Sequence, residues 1–107
     1  MSYNLDINQN TDYSRTFTVV DVKNVAVDLS TSTIQAQIRR NSTSSDYIQF
    51  NVYIIDPTHG KVTIMLPHNI TVTMHGTYEY DIFLIDSSGF KYKISDGLVN
   101  IITTVTR

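Results

Sequence analysis

Residues 47–66 read YIQFNVYIIDPTHGKVTIML, two runs in which apolar and polar side chains alternate, joined by a stretch with proline early and glycine late. A period of two is that of a β-strand, and DPTHG is turn-forming, so the stretch reads as a hairpin. Setting Ile55 opposite Lys61 brings Ile54 to Val62, Val52 to Ile64 and Phe50 to Leu66, which makes one face wholly apolar. A hairpin with an apolar face is marginal in water, so the rest of the chain has to provide a second layer.

The remaining sequence suits that requirement. Ile and Val contribute 23 residues and Thr 14, against only 3 for Ala and Glu together, which favours pleated sheet over helix throughout. Leu5 and Ile7 mark a strand near 3–9, and Phe17 and Val19 another near 13–21. In STIQAQIRR, Ile34, Ala36 and Ile38 face one way and Gln35, Gln37 and Arg39 the other, before the loop NSTSSD. The 107 residues fit a single domain, 1–107, that buries roughly 65% of its unfolded surface. No cysteine is present, which removes disulfides and thiolate chemistry.

A second hairpin closes the pattern. With Ser87, Ser88 and Gly89 as a three-residue loop, Gly89 left-handed, Asp86 meets Phe90, Leu84 meets Tyr92 and Ile82 meets Ile94. A longer loop would bring Lys93 opposite Ile82 and bury a charge. PHNITVTMHG reads as a crossover between sheets because Pro67 cannot continue a central ladder. A last strand near 98–106 offers Val99, Ile101 and Val105 to the core. The expected fold is all-β, a two-layer antiparallel β-sandwich. Tyr78, near the start of the penultimate strand and two residues before the core position Tyr80, fits the tyrosine that immunoglobulin-like sandwiches carry there.

The chemistry-bearing residues point away from catalysis. His59, His68 and His75 are spaced too widely for a metal site and lie at turns, so no metal and no cofactor is expected. The aspartates mostly mark turns. Glu79 and Asp81 share a strand face with Lys91 and Lys93 of the next strand, which reads as cross-strand charge pairing rather than a catalytic pair. No nucleophile elbow or phosphate loop occurs, so the chain is not expected to be an enzyme. A net charge of -2 gives no field toward nucleic acid, and Arg39, Arg40 and Tyr47 read as a solvated loop edge. No apolar run approaches the ~20 residues of a membrane helix, and no signal peptide is read at the N-terminus.

Two apolar clusters turn outward. Phe83 and Ile85 point away from the face carrying Tyr80, Ile82 and Leu84, and Tyr53, Ile55 and Met65 point away from the core face of the first hairpin. Such clusters are candidate protein interfaces. An alternative is glycan binding, with Tyr47, Tyr53 and Tyr92 as aromatic platforms, but the second hairpin's register directs Tyr92 inward.

YSRTFTVVD, VDLS, AQIRR, GKVTIML, GTYEYDIFLID, the SSG turn and a terminal VTR resemble, in this order, small β-sandwich proteins of tailed bacteriophages, including the N-terminal domains of baseplate upper proteins. The resemblance spans Tyr13 to Arg107; where such sequences commonly carry a glycine, the turn after Asp21 reads VKNVAV. It implies an immunoglobulin-like sandwich with a non-enzymatic structural role in the virion, in the tail or baseplate. Its partners would then be other virion proteins, with several copies or a homo-oligomer. A capsid decoration protein would differ only in location.

Overall fold

The computed structural model describes residues 3–41 and 43–103. Eight strands follow in order: β1 (Leu5–Asn8), β2 (Tyr13–Thr18), β3 (Thr33–Arg39), β4 (Ile48–Gln49), β5 (Asn51–Asp56), β6 (Lys61–Leu66), β7 (Gly76–Ile85) and β8 (Lys91–Ile102). A single 3-10 turn, Pro57–His59, joins β5 to β6, and a short helix, α1 (His68–Thr71), lies between β6 and β7. The strands form a five-stranded sheet ordered β1-β8-β7-β3-β4 and a three-stranded sheet ordered β2-β6-β5. The two sheets share one core, with Leu5, Ile7, Ala36, Ile38, Tyr80, Ile82 and Val99 on one side and Phe50, Ile64 and Leu66 on the other. This is an all-β sandwich, and alternation puts every other residue of each strand into it.

One pairing departs from the antiparallel expectation. β1 runs parallel to β8, with Leu5 beside Val99 and Ile7 beside Ile101. Apolar alternation identifies strands and faces but not their partners. Here β1 turns through residues 9–12 into β2 of the opposite sheet, so it borders β8 instead of forming a hairpin with β2.

The first hairpin keeps Ile54 opposite Val62 and Val52 opposite Ile64, but Asp56, not Ile55, faces Lys61. Ile55 is the extra residue of a bulge. The cause lies in the turn: Gly60 is left-handed with φ 68° and donates its N–H to Pro57 O, and Asp56 accepts from Thr58 and contacts His59 Nδ1 at 3.0 Å. Phe50 does not lie in that ladder opposite Leu66. It sits where the chain passes from β4 in the larger sheet to β5 in the smaller one, donates its N–H to Ala36 O, and is 2% exposed.

The second hairpin has the three-residue turn, with Gly89 at φ 86°, Asp86 N–H on Phe90 O and Leu84 opposite Tyr92. Beyond that the ladder shifts. Phe83 faces Lys93, but Ile82 faces Ser95, so Ile94 is bulged and does not pair with Ile82. The expected break between two C-terminal strands is this bulge, and β8 continues through it from Lys91 to Ile102. Val99 is buried and Ile101 half-buried, while Val105 lies outside the described residues. Tyr92, expected inside, is 48% exposed beside the turn, outside the cluster of Val19, Leu29, Val62 and Leu84.

Buried polar groups are tied in. Thr71 of α1 accepts the Thr11 N–H at 3.1 Å and donates to Thr11 O at 2.7 Å, anchoring the crossover on the β1–β2 turn. Tyr78 accepts the His75 N–H at 3.3 Å, a local backbone bond of the kind its position suggested. Asn24, where a glycine would be commoner, takes the left-handed conformation itself at φ 63°, and Asp21 Oδ1 accepts the Lys23 and Val25 N–H groups around it.

Candidate functional site

The two outward clusters lie on opposite sides of the sandwich and differ in cover. Phe83 and Ile85 stand on the outer face of the larger sheet, flanked by Gln35 and Thr33 of β3 and by Lys93 and Lys91 of β8. Both are half-buried, and the Lys91 ammonium lies 4.5 Å from the Phe83 ring centroid. On the smaller sheet Tyr53 and Ile55 are 51% and 56% exposed, with Met65 half-buried across from Asn51 and Ser14. Strand alternation accounts for both, since it turns Asn51, Tyr53 and Ile55 to the outer face of the smaller sheet.

The expected pairing of Glu79 and Asp81 with Lys91 and Lys93 is replaced by another arrangement. The bulge at Ile94 moves β8 by one residue, so Asp81 faces Asp96 and Glu79 faces Leu98. Lys93 Nζ pairs with Asp96 at 3.2 Å, while Lys91 covers Phe83. On the other side of β7, Arg39 is opposite Glu79 but donates instead to Ser44 O at 2.9 Å and Gln37 Oε1 at 2.8 Å. Gln37, Arg39, Glu79, Asp81, Lys93 and Asp96 thereby border a polar groove of about 380 Å³.

The remaining sequence candidates have structural duties. Arg40 donates to His75 O and Thr77 O and stacks 4.2 Å from the Tyr78 ring, and Arg39 lies 5.0 Å from the ring of Tyr47. His59 binds Asp56, and His68 donates its backbone N–H to Asp12 Oδ1 at 2.7 Å, with its ring Nδ1 2.9 Å from the same oxygen. Hydrogen bonds from these histidines hold Asp12 and Asp56 below the usual aspartate range, as Ser88 and the Phe90 N–H do for Asp86 and Ser30 for Asp28. Among the described residues no three His, Cys, Asp or Glu side chains converge where a metal could sit. No described helix is long and apolar enough to cross a membrane.

Two features are not anticipated by the sequence pattern. One is the exposed Phe90–Tyr92 pair, stacked with centroids 4.9 Å apart. The other is a cleft of about 680 Å³ between β2 and the first half of β8, with Phe17, Val19 and Ile94 in its lining and Arg15 and Lys93 beside them. It follows from which strand edges remain uncovered, and that depends on the parallel placement of β1.

No protein-family model matches the chain, and no curated protein matches it. Fold and surface together define the class: an all-β, two-sheet sandwich with outward apolar clusters and open strand edges.

Proposed function

We propose that this chain is a non-enzymatic structural protein of a bacteriophage virion, a tail or baseplate component that docks on neighbouring virion proteins in multiple copies. The observation that carries the docking part is the exposure of Tyr53 and Ile55 on one sheet, with the Phe83–Ile85 face on the other. Apolar side chains on both outer faces suit a domain held between neighbours. The immunoglobulin-like part of the reading is supported by strand order. If β1 to β8 stand for A′, B, C, C′, D, E, F and G, the two sheets read A′-G-F-C-C′ and B-E-D, the layout of that class with a strand added beside C. The tail or baseplate location rests on the resemblance of the landmark sequences.

Light scattering across a concentration series tests the docking reading. A defined oligomer is the expected result, and a strict monomer at every concentration, with no mass gained on mixing with tail proteins, would contradict it.

A second reading, glycan recognition in host attachment, is favoured by the stacked and exposed Phe90 and Tyr92, with the Asp86 carboxylate 3.5 Å from the Tyr92 hydroxyl. Sugar recognition uses an aromatic platform beside hydrogen-bonding groups. Saturable binding on a glycan array, abolished by Tyr92→Ala, would replace the first reading with this one.

A further inference from the structure

β8 is twelve residues long and β1 only four, and β1 pairs with Val99 to Ile102. The ladder reaches a little further, through the Tyr3 N–H on Asp96 O at 2.7 Å and the Leu98 N–H on Asn4 Oδ1 at 3.1 Å. From Lys91 to Ser95 the side of β8 turned away from β7 has no strand beside it among the described residues. Because the Asp86 N–H binds Phe90 O, strand alternation turns the N–H and C=O of Lys91 and Lys93 to this open side.

β2 borders the same cleft with an open edge of its own. The Val19 N–H donates to Gly60 O on the β6 side, so the backbone groups of Thr18, Thr16 and Ser14 face outward. Between the two edges lie the apolar side chains of Phe17, Val19 and Ile94. The charge there is lopsided. Lys93 is paired with Asp96, and Asp21 is taken up by the backbone of its own turn. Arg15 pairs with no carboxylate among the described residues and rests 3.9 Å from the Tyr3 ring.

We propose that this cleft is a strand-acceptor site: an extended segment of a partner protein lies parallel to β8 along Lys91 to Ser95, continuing the ladder that β1 begins. Its alternate apolar side chains point at Phe17, Val19 and Ile94, and an acidic residue on the same face meets Arg15. Backbone pairing supplies general affinity and the acid fixes register. This rests on the docking reading above and names the chemistry of the partner.

A tethered strand tests it. Seven residues of alternating valine and threonine, with glutamate at one valine-type position, are fused ahead of Met1 through a short glycine–serine linker. Tethering gives an effective concentration in the millimolar range, so a generic strand suffices. Amide exchange at Lys91 and Lys93 should slow by about 10-fold or more and the melting temperature should rise. A proline at the centre of the strand should remove both effects, and Arg15→Gln should reduce the gain of the glutamate strand but not that of a glutamine strand. Unchanged exchange at Lys91 and Lys93, or equal slowing by the proline version, would overturn the proposal. The free, end-capped peptide titrated into the unmodified protein gives the same reading should the fusion misfold. Stabilisation by sodium decanoate equal to that by the strand would make the cleft an amphiphile site and also overturn it. Strand pairing without incorporation into particles would instead leave the site standing and defeat the virion reading.

Discussion

Gly97 lies extended at φ 155°, with the Tyr3 carbonyl oxygen 2.3 Å from where a Cβ would stand. Any side chain there pushes β1 from β8, so Gly97→Ala should loosen the N-terminal strand, seen as faster amide exchange at Leu5 to Ile7 and a stability loss of about 1–3 kcal/mol. Unchanged exchange would mean that β1 is not held by that contact. Four aspartates favour the fold less as the pH falls. Asp12, Asp28, Asp56 and Asp86 hold their protons more weakly in the fold than the ordinary value of 3.8. The unfolded chain therefore takes up protons first, and the stability these groups contribute is present above that value and lost as pH falls through their lower folded-state values. Urea unfolding should show a plateau above about pH 5 and a decline below about pH 4, with a shallower decline in Asp86→Asn. An equal acid-side slope in that variant would show that Asp86 is not among the causes.

At the scale of elements, alternation made most strands legible, and the turn residues fixed register near the turns. Asp86 to Phe90 and Leu84 to Tyr92 follow from the need of a tight turn for a left-handed Gly89. Adding a residue to the 87–89 turn should flip the facing of β8 and lower the melting temperature by roughly 4–8 °C per kcal/mol lost; an unchanged value would contradict the register. Legibility ended where the phase slipped. A bulge moves every later side chain by one position, and in Ile94-Ser95-Asp96-Gly97 that slip resembles a turn. The Ile55 bulge was hidden because Ile54 and Ile55 are equally apolar, so either satisfies the pattern. The parallel β1–β8 pair was invisible for another reason: partners far apart in sequence leave no local mark.

For the whole molecule, the five outward residues were legible as apolar positions on the wrong face, and the strand facing holds for Phe83, Ile85, Tyr53 and Met65. Their exposure was not legible, because it depends on neighbours such as Lys91, whose ammonium lies over Phe83. The open cleft was wholly outside sequence reach, being a property of which edges three separate strands leave uncovered. Phe83→Asp, with Lys91 and Lys93 beside it, should leave the monomer folded and weaken assembly by about 10-fold or more, the scale of an interface anchor. Assembly equal to the parent would remove that face from the interface and leave Tyr53 and Ile55 as the contact. The proposed virion role is tested most directly by quantitative mass spectrometry of phage particles purified from cells that express this chain. A fixed copy number per particle, constant through density-gradient and salt washes, is the predicted result, and absence of the protein from intact particles would contradict the account.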